Sequence, residues 1–78
     1  MTRPQSAIDP TAPYAEFARR LRAAREKCGR SVDYCAAAIA VSAKAWLRYE
    51  SGERFPRTPE GLRAVAAAVK TTVGRLVD

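Results

Sequence analysis

Two serines, Ser31 and Ser42, stand eleven residues apart, and this spacing constrains the fold more than any other feature of the chain. A serine hydroxyl can cap a helix because its oxygen accepts from backbone N–H groups two or three residues further on. Two caps at this distance leave room for about two turns of helix and a turn of about three or four residues. The spacing therefore predicts a short helix from Ser31, a tight turn, and a second helix over residues 42–51.

Apolar side chains recur at three- and four-residue spacing on both sides of this pair of helices. Before it, residues 13–28 carry one apolar stripe, and Gly29 follows at the place where a helix C-cap favours glycine. After it, residues 58–60 (Thr-Pro-Glu) form a strong helix start, and Thr71 or Thr72 begins a short last helix. Strand-like alternation is absent from the sequence. The pattern predicts an all-α fold of five short helices.

The chain of 78 residues has room for one domain with one small core. Residues 1–12 contain two prolines and few apolar side chains, so we expect a disordered N-terminal arm there and the folded domain over residues 13–78. We interpret Cys28 and Cys35 as small buried hydrophobic residues. Trp46 and Tyr49 are three residues apart, and we expect both to point into the core.

The charge balance favours a polyanionic partner. The sequence has 14 Lys and Arg against 8 Asp and Glu, a formal net charge of +6, which attracts nucleic acid first and an anionic membrane second. It has no apolar run long enough to span a membrane and no signal-peptide core, so we expect a cytoplasmic protein without membrane contact. With no His and only two Cys, we expect no metal and no cofactor. No nucleophile has a neighbouring base, and no glycine-rich phosphate loop is present, so we do not expect an enzyme.

A longer pattern continues through the predicted helices without a break in register. The residues that carry it are Phe17, Arg20, Leu21, Arg25, Gly29, Ser31, Cys35, Ala36, Ile39, Val41, Ser42, Trp46, Arg48, Tyr49, Glu50, Gly52, Pro56, Leu62, Val69, Thr72, Val73 and Leu76. In this pattern residues 17–77 resemble the Cro/C1-type helix-turn-helix family, also called the Xre family. The resemblance implies a compact five-helix, lambda-repressor-like domain whose third helix enters the major groove of DNA.

The resemblance also implies roles for individual residues. Base edges would be contacted by four side chains of the third helix, Ala43, Lys44, Leu47 and Arg48. Phosphates would be contacted by Ser31, Ser42, Ser51, Arg54, Arg57 and Arg20, and a structural ion pair would join Arg25 to Glu50. The residues themselves agree, because Lys44 and Arg48 are four apart on one helical face and each can donate to guanine O6 and N7.

Some positions depart from the family pattern. Val32 stands where the family often has a Gln that touches a phosphate, and Ala40 stands in the turn where Gly is usual, although alanine tolerates a positive φ poorly. Leu47 places an apolar side chain on the face predicted to read DNA, and such a face can also dock a protein. Phe55 lies in the loop where family members often form dimer contacts, and we interpret it as an exposed interface aromatic.

The leading hypothesis is a sequence-specific double-stranded DNA-binding transcriptional regulator, a phage- or prophage-type repressor or activator that binds a short palindrome as a homodimer. The alternative is a helix-turn-helix protein-interaction module, an adaptor, an antitoxin or an inhibitor of another regulator. That module would dock its protein partner through Ala43, Ala45 and Leu47. Substitution of Lys44 and Arg48 would impair the first function and spare the second.

Overall fold

The computed structural model describes residues 12–77, so residues 1–11 of the predicted arm and residue 78 lie outside the described residues. Within this range the chain forms five helices and no strand. They are α1 (Ala15–Cys28), α2 (Val32–Ala38), α3 (Ala43–Ser51), α4 (Pro59–Ala68) and α5 (Val73–Val77). The predicted all-α, five-helix fold is confirmed. None of these helices has both the length and the apolar character needed to cross a membrane.

Hydroxyl caps start the last four helices, as their spacing predicts. The Ser31 and Ser42 hydroxyls each accept, at 3.0 Å, from the backbone N–H three residues further on. The Thr58 hydroxyl does the same at 2.9 Å for α4. For α5, the sequence left Thr71 and Thr72 as alternative caps. Thr72 is the cap, because its hydroxyl accepts from the Arg75 N–H at 3.3 Å.

The start of α1 differs from the prediction. The apolar stripe predicts a helix from residue 13, but α1 begins at Ala15, and no side chain caps it. The Tyr14 N–H instead donates to the Gly52 carbonyl at 3.1 Å, which ties the start of α1 to the end of α3. Gly52 has a φ of 88°, and a Cβ there would lie 3.0 Å from the Ala12 Cβ. Both the backbone conformation and this close approach therefore require glycine.

The core lies where α1, α3 and α5 meet α2 and α4. Its buried side chains come from every helix and include Phe17, Leu21, Cys35, Ala36, Trp46, Val65, Ala66, Val69 and Leu76. Trp46 has no exposed surface and Tyr49 is half-buried, in keeping with their predicted core positions. Burial raises the pKa of the Cys35 thiol, which keeps it protonated as a small apolar side chain, whereas Cys28 is only half-buried.

Candidate nucleic-acid interface

A tight turn joins α2 to α3. The Ala40 N–H donates to the Ala37 carbonyl at 3.1 Å, and the Val41 N–H donates to the Ala36 carbonyl at 2.9 Å, which closes the end of α2. Ala40 itself has a φ of 61°, a left-handed conformation that glycine adopts more easily. The chain thus makes the turn that the family pattern implies, with alanine in the strained position.

The four residues predicted to contact bases lie together on one side of α3. Lys44 and Arg48 are exposed, Leu47 is 42% exposed, and Ala43 is half-buried at the first turn. Their spacings of three and four residues give them one shared face. The opposite side of α3 holds the buried Trp46. Packing of this inner side on α1 and α2 leaves the outer face open along the length of the helix.

Both serine caps lie at exposed helix starts. The first N–H groups of α2 and α3 lack partners within their own helices, because the hydrogen bonds of a helix begin four residues in. These groups and the positive end of each helix dipole favour an anion such as a DNA phosphate. Ser31 and Ser42 are exposed and use their hydroxyl oxygens as acceptors in capping, so each O–H still has a proton to donate.

The other predicted phosphate contacts differ in how available they are. Arg54 and Arg57 are exposed in the segment after α3. Ser51 is half-buried, and its hydroxyl already donates to the Arg48 carbonyl at 3.0 Å. Arg20 pairs with Glu16 at 3.0 Å, so it would have to leave that carboxylate to bind a phosphate.

Arginines of α1 are held in ion pairs along their own helix. Glu16 accepts from Arg19 at 2.5 Å and from Arg20 at 3.0 Å, and the hydrogen bond from Arg19 lowers the pKa of Glu16. Arg22 pairs with Glu26 at 3.0 Å. By contrast, no carboxylate within residues 12–77 lies within ion-pair distance of the cations on α3 and the following segment, Lys44, Arg48, Arg54 and Arg57. The positive charge next to the α3 face is therefore not compensated by carboxylates of the described residues.

Arg25 and Glu50 lie against each other between α1 and α3. Arg25 donates from Nε to Glu50 Oε2 at 2.5 Å and from Nη2 to Oε1 at 3.2 Å, and the first of these bonds raises the pKa of Arg25. Glu50 has no exposed surface. Its Oε2 also accepts from the Trp46 indole N–H at 2.6 Å. This second partner of Glu50 was not predicted, although the spacing of four residues between Trp46 and Glu50 is a signal for a contact along one helical face.

Two further side chains support the start of α2. The Arg30 guanidinium lies 4.7 Å from the centre of the Tyr34 ring and donates to the Ala68 carbonyl at 2.9 Å. Arg30 thereby links the start of α2 to the end of α4. Tyr34 is 53% exposed beside the Ser31 cap, so it belongs to the same surface, and its position three residues after the cap was the only signal for it.

Phe55 is not the exposed aromatic that its loop position suggested. It is half-buried, packing edge-on against Phe17 with ring centres 4.7 Å apart and stacking on Tyr14 at 5.4 Å. The physical reason is that α1 offers an apolar surface to the segment after α3. Phe55 thus holds that segment, and with it Arg54 and Arg57, against the body of the domain.

The sequence matches a family model described as a helix-turn-helix domain over residues 16–77. The chain belongs to the helix-turn-helix family. This confirms the predicted resemblance, and the turn between α2 and α3 is the one from which the family takes its name. A comparison with curated proteins found no match for the sequence.

Solved structures share this fold. The clp gene regulator ClgR from C. glutamicum superposes with a TM-score of 0.75 at 23% identity, over 88% of this chain and 87% of that one. The restriction-modification controller protein C.AhdI from Aeromonas hydrophila gives 0.71 at 22% identity, over 81% and 94% of the two chains. Hydroxypropylphosphonic acid epoxidase from S. wedmorenis superposes with a TM-score of 0.77 at 22% identity, over 86% of this chain. The match covers only 35% of the epoxidase chain. The fold of the chain is therefore similar to a gene regulator and a controller protein over most of their lengths, and to about a third of the length of an epoxidase.

Proposed function

We propose that this helix-turn-helix protein is a sequence-specific double-stranded DNA-binding transcriptional regulator that acts in the cytoplasm and reads the major groove with α3. The observation that carries the proposal is the outer face of α3, where exposed Lys44 and Arg48 flank Leu47. Membership of the family supports it, as do the regulator and the controller protein that share the fold.

The α3 face suits base edges that differ in chemistry. Lys44 and Arg48 donate to O6 and N7 of guanine, which present two acceptors in the major groove. Ala43 and Leu47 are apolar, and the apolar group in that groove is the thymine methyl. We therefore expect the bound sequence to contain guanine and thymine side by side in each half-site.

Phosphate contacts on both sides of α3 would fix its position in the groove. Ser31 and Ser42 offer hydroxyl and backbone donors at the starts of α2 and α3, and Arg54 and Arg57 extend the positive surface beyond the end of α3. Arg20 joins them by exchanging Glu16 for a phosphate, and Ser51 does so by turning its hydroxyl from the Arg48 carbonyl to a phosphate oxygen.

A homodimer would place two copies of α3 on one palindrome. Helix-turn-helix dimers bind half-sites about one helical turn, or about 34 Å, apart. Each half-site then receives one α3, and two sets of contacts multiply the sequence preference. Binding of this kind over a promoter represses or activates transcription according to where the palindrome lies.

The alternative function as a protein-docking module is not favoured. Leu47 is the one large apolar side chain exposed on α3, and lysine and arginine stand on either side of it. The core of a protein interface is depleted of charged side chains, and lysine is depleted there in particular. A face with isolated apolar area between two cations fits a polyanion better.

Binding to mixed-sequence duplex DNA across a salt series tests the proposal, with fluorescence anisotropy as the readout. Neutralisation of about six phosphates predicts a slope of about −5 in a plot of the logarithm of the binding constant against the logarithm of the salt concentration. Selection from a randomised duplex pool should then yield one preferred palindrome. Absence of binding at low salt would contradict the proposal, and a protein partner for Leu47 would become the better explanation.

A further inference from the structure

A second basic cleft lies away from the α2–α3 unit. It has a volume of about 630 Å3, within the range of about 300–1,000 Å3 that is typical of small-molecule sites. Its walls come from the last turns of α1, the link between α4 and α5, and α5 itself, and none of its lining residues belongs to α2 or α3. DNA lying along α3 would therefore leave this cleft uncovered.

Three cations from three separate segments converge on the cleft. Lys27 comes from α1, Lys70 from the link after α4, and Arg75 from α5, and all three are exposed. The lining contains no carboxylate, and none of the carboxylates within residues 12–77 pairs with any of these cations. The three positive charges repel one another, and a bound anion would reduce this repulsion.

The floor of the cleft is apolar and its rim carries a hydroxyl. Ala24, Cys28 and Val69 provide the floor, and Thr71 is half-buried at the rim, where its O–H can donate. A planar guanidinium and two ammonium groups suit an anion with several oxygens, and arginine pairs with phosphate through two parallel bonds. The apolar floor leaves space for an organic group beside the phosphate.

The backbone that carries Lys70 is fixed. Its own N–H donates to the Ala67 carbonyl at 3.1 Å, and the next N–H, of Thr71, donates to the Ala66 carbonyl at 2.9 Å. These bonds hold Lys70 in a left-handed conformation with a φ of 57°, at a position where glycine would be relaxed. The backbone from which the Lys70 side chain extends is therefore held at a defined place beside the cleft.

We propose that the cleft between α1 and the α4–α5 link is a binding site for a small phosphate-bearing molecule. Lys27, Lys70 and Arg75 bind its phosphate oxygens, and the apolar floor receives the rest of the ligand. This site is separate from the α3 face, so the inference does not depend on the proposed DNA-binding function.

Backbone amide NMR with inorganic pyrophosphate as the probe tests the site, at constant ionic strength balanced with chloride. We expect saturable shifts at Ala24, Thr71 and Arg75. The variant Lys70→Gly removes one cation and relaxes the backbone, so it should remain folded and bind pyrophosphate about tenfold more weakly. Ala40→Gly is the matched control, because Ala40 is the other left-handed non-glycine residue among residues 12–77 and its replacement relaxes the backbone without changing charge. Its affinity should equal that of the parent.

Either of two results would overturn the proposal. One is a shift that fails to saturate or appears equally at Lys44 and Arg54, since this would mean general attraction of anions to a basic protein. The other is unchanged affinity in Lys70→Gly. A titration with a short DNA duplex separates the sources of phosphate. We expect it to move amides of α2 and α3 and to leave bound pyrophosphate in place, whereas displacement of pyrophosphate would make the cleft a DNA contact.

Discussion

At the scale of single residues, Glu50 shows how one carboxylate fixes the orientation of α3. It is fully buried and accepts from Arg25 on α1 and from the Trp46 indole on its own helix. Every buried side-chain nitrogen or oxygen among residues 12–77 has a hydrogen-bond partner, so this charge is fully compensated. The arrangement keeps the inner side of α3 against α1 and thereby aims Lys44 and Arg48 outward.

Loss of Arg25 should destabilise the domain strongly. Arg25→Met leaves Glu50 as a buried charge, and because the Arg25 side chain retains 14% exposure we expect a cost of about 3 kcal/mol in the free energy of unfolding. Urea denaturation measures it. The double variant Arg25→Met/Glu50→Met should recover part of this loss, since the stranded charge is gone and only neutral groups, the Trp46 N–H and the Arg30 carbonyl, lose a hydrogen-bond partner.

Arg19→Met is the matched control for Arg25→Met. It also removes an arginine of α1 from a carboxylate, but both partners of that pair are exposed. Its free energy of unfolding should stay close to that of the parent. Equal destabilisation by Arg19→Met and Arg25→Met would show that the buried pair does not hold α3.

At the scale of helices, local signals in the sequence were enough to place α2 to α5. Each starts at a hydroxyl cap that bonds within its own first turn, so residues close in the chain determine the boundary. The start of α1 was misplaced because it depends on a bond from Tyr14 to Gly52, far along the chain. For the same reason the burial of Phe55 on Phe17 was missed, since neither residue has a local pattern that reveals the other.

The turn between α2 and α3 carries strain that a single substitution should relieve. Ala40 has a φ of 61°, so Ala40→Gly should stabilise the domain by about 1 kcal/mol. Ala37→Gly is the comparison, because Ala37 is exposed within α2 itself. Glycine in a helix should lower the free energy of unfolding of the domain by about 1 kcal/mol. Thermal unfolding of both variants provides the check. Destabilisation by Ala40→Gly would mean that the turn does not strain the alanine.

At the scale of the whole molecule, charge is distributed unevenly over the surface. Arginines of α1 are paired with Glu16 and Glu26, while the cations of α3 and the following segment have no carboxylate partner within the described residues. The composition predicted an anionic partner, and the family resemblance named the helix that would meet it. Neither could show which cations were already neutralised, because ion pairs depend on side-chain geometry.

The proposed dimer predicts the composition of the complex. Two chains should bind one selected palindrome, and analytical ultracentrifugation of the complex gives this ratio directly. Lengthening the spacer by half a helical turn should abolish binding of the second chain, because its α3 would then face the wrong side of the duplex. A single chain per palindrome, unaffected by the spacer, would contradict the dimer and leave the α3 interface intact.

DNA reading by α3 is tested by the sequence preference of the variant Lys44→Ala/Arg48→Ala, measured as the ratio of its affinities for the selected and the mixed-sequence duplex. Each bidentate base contact contributes about 1–3 kcal/mol to discrimination, so the ratio should fall about thirtyfold or more. Arg19→Ala/Arg63→Ala removes the same charge from α1 and α4 and should leave the ratio unchanged. If Lys44→Ala/Arg48→Ala keeps the full preference while Leu47→Glu abolishes function, α3 does not read DNA through this face.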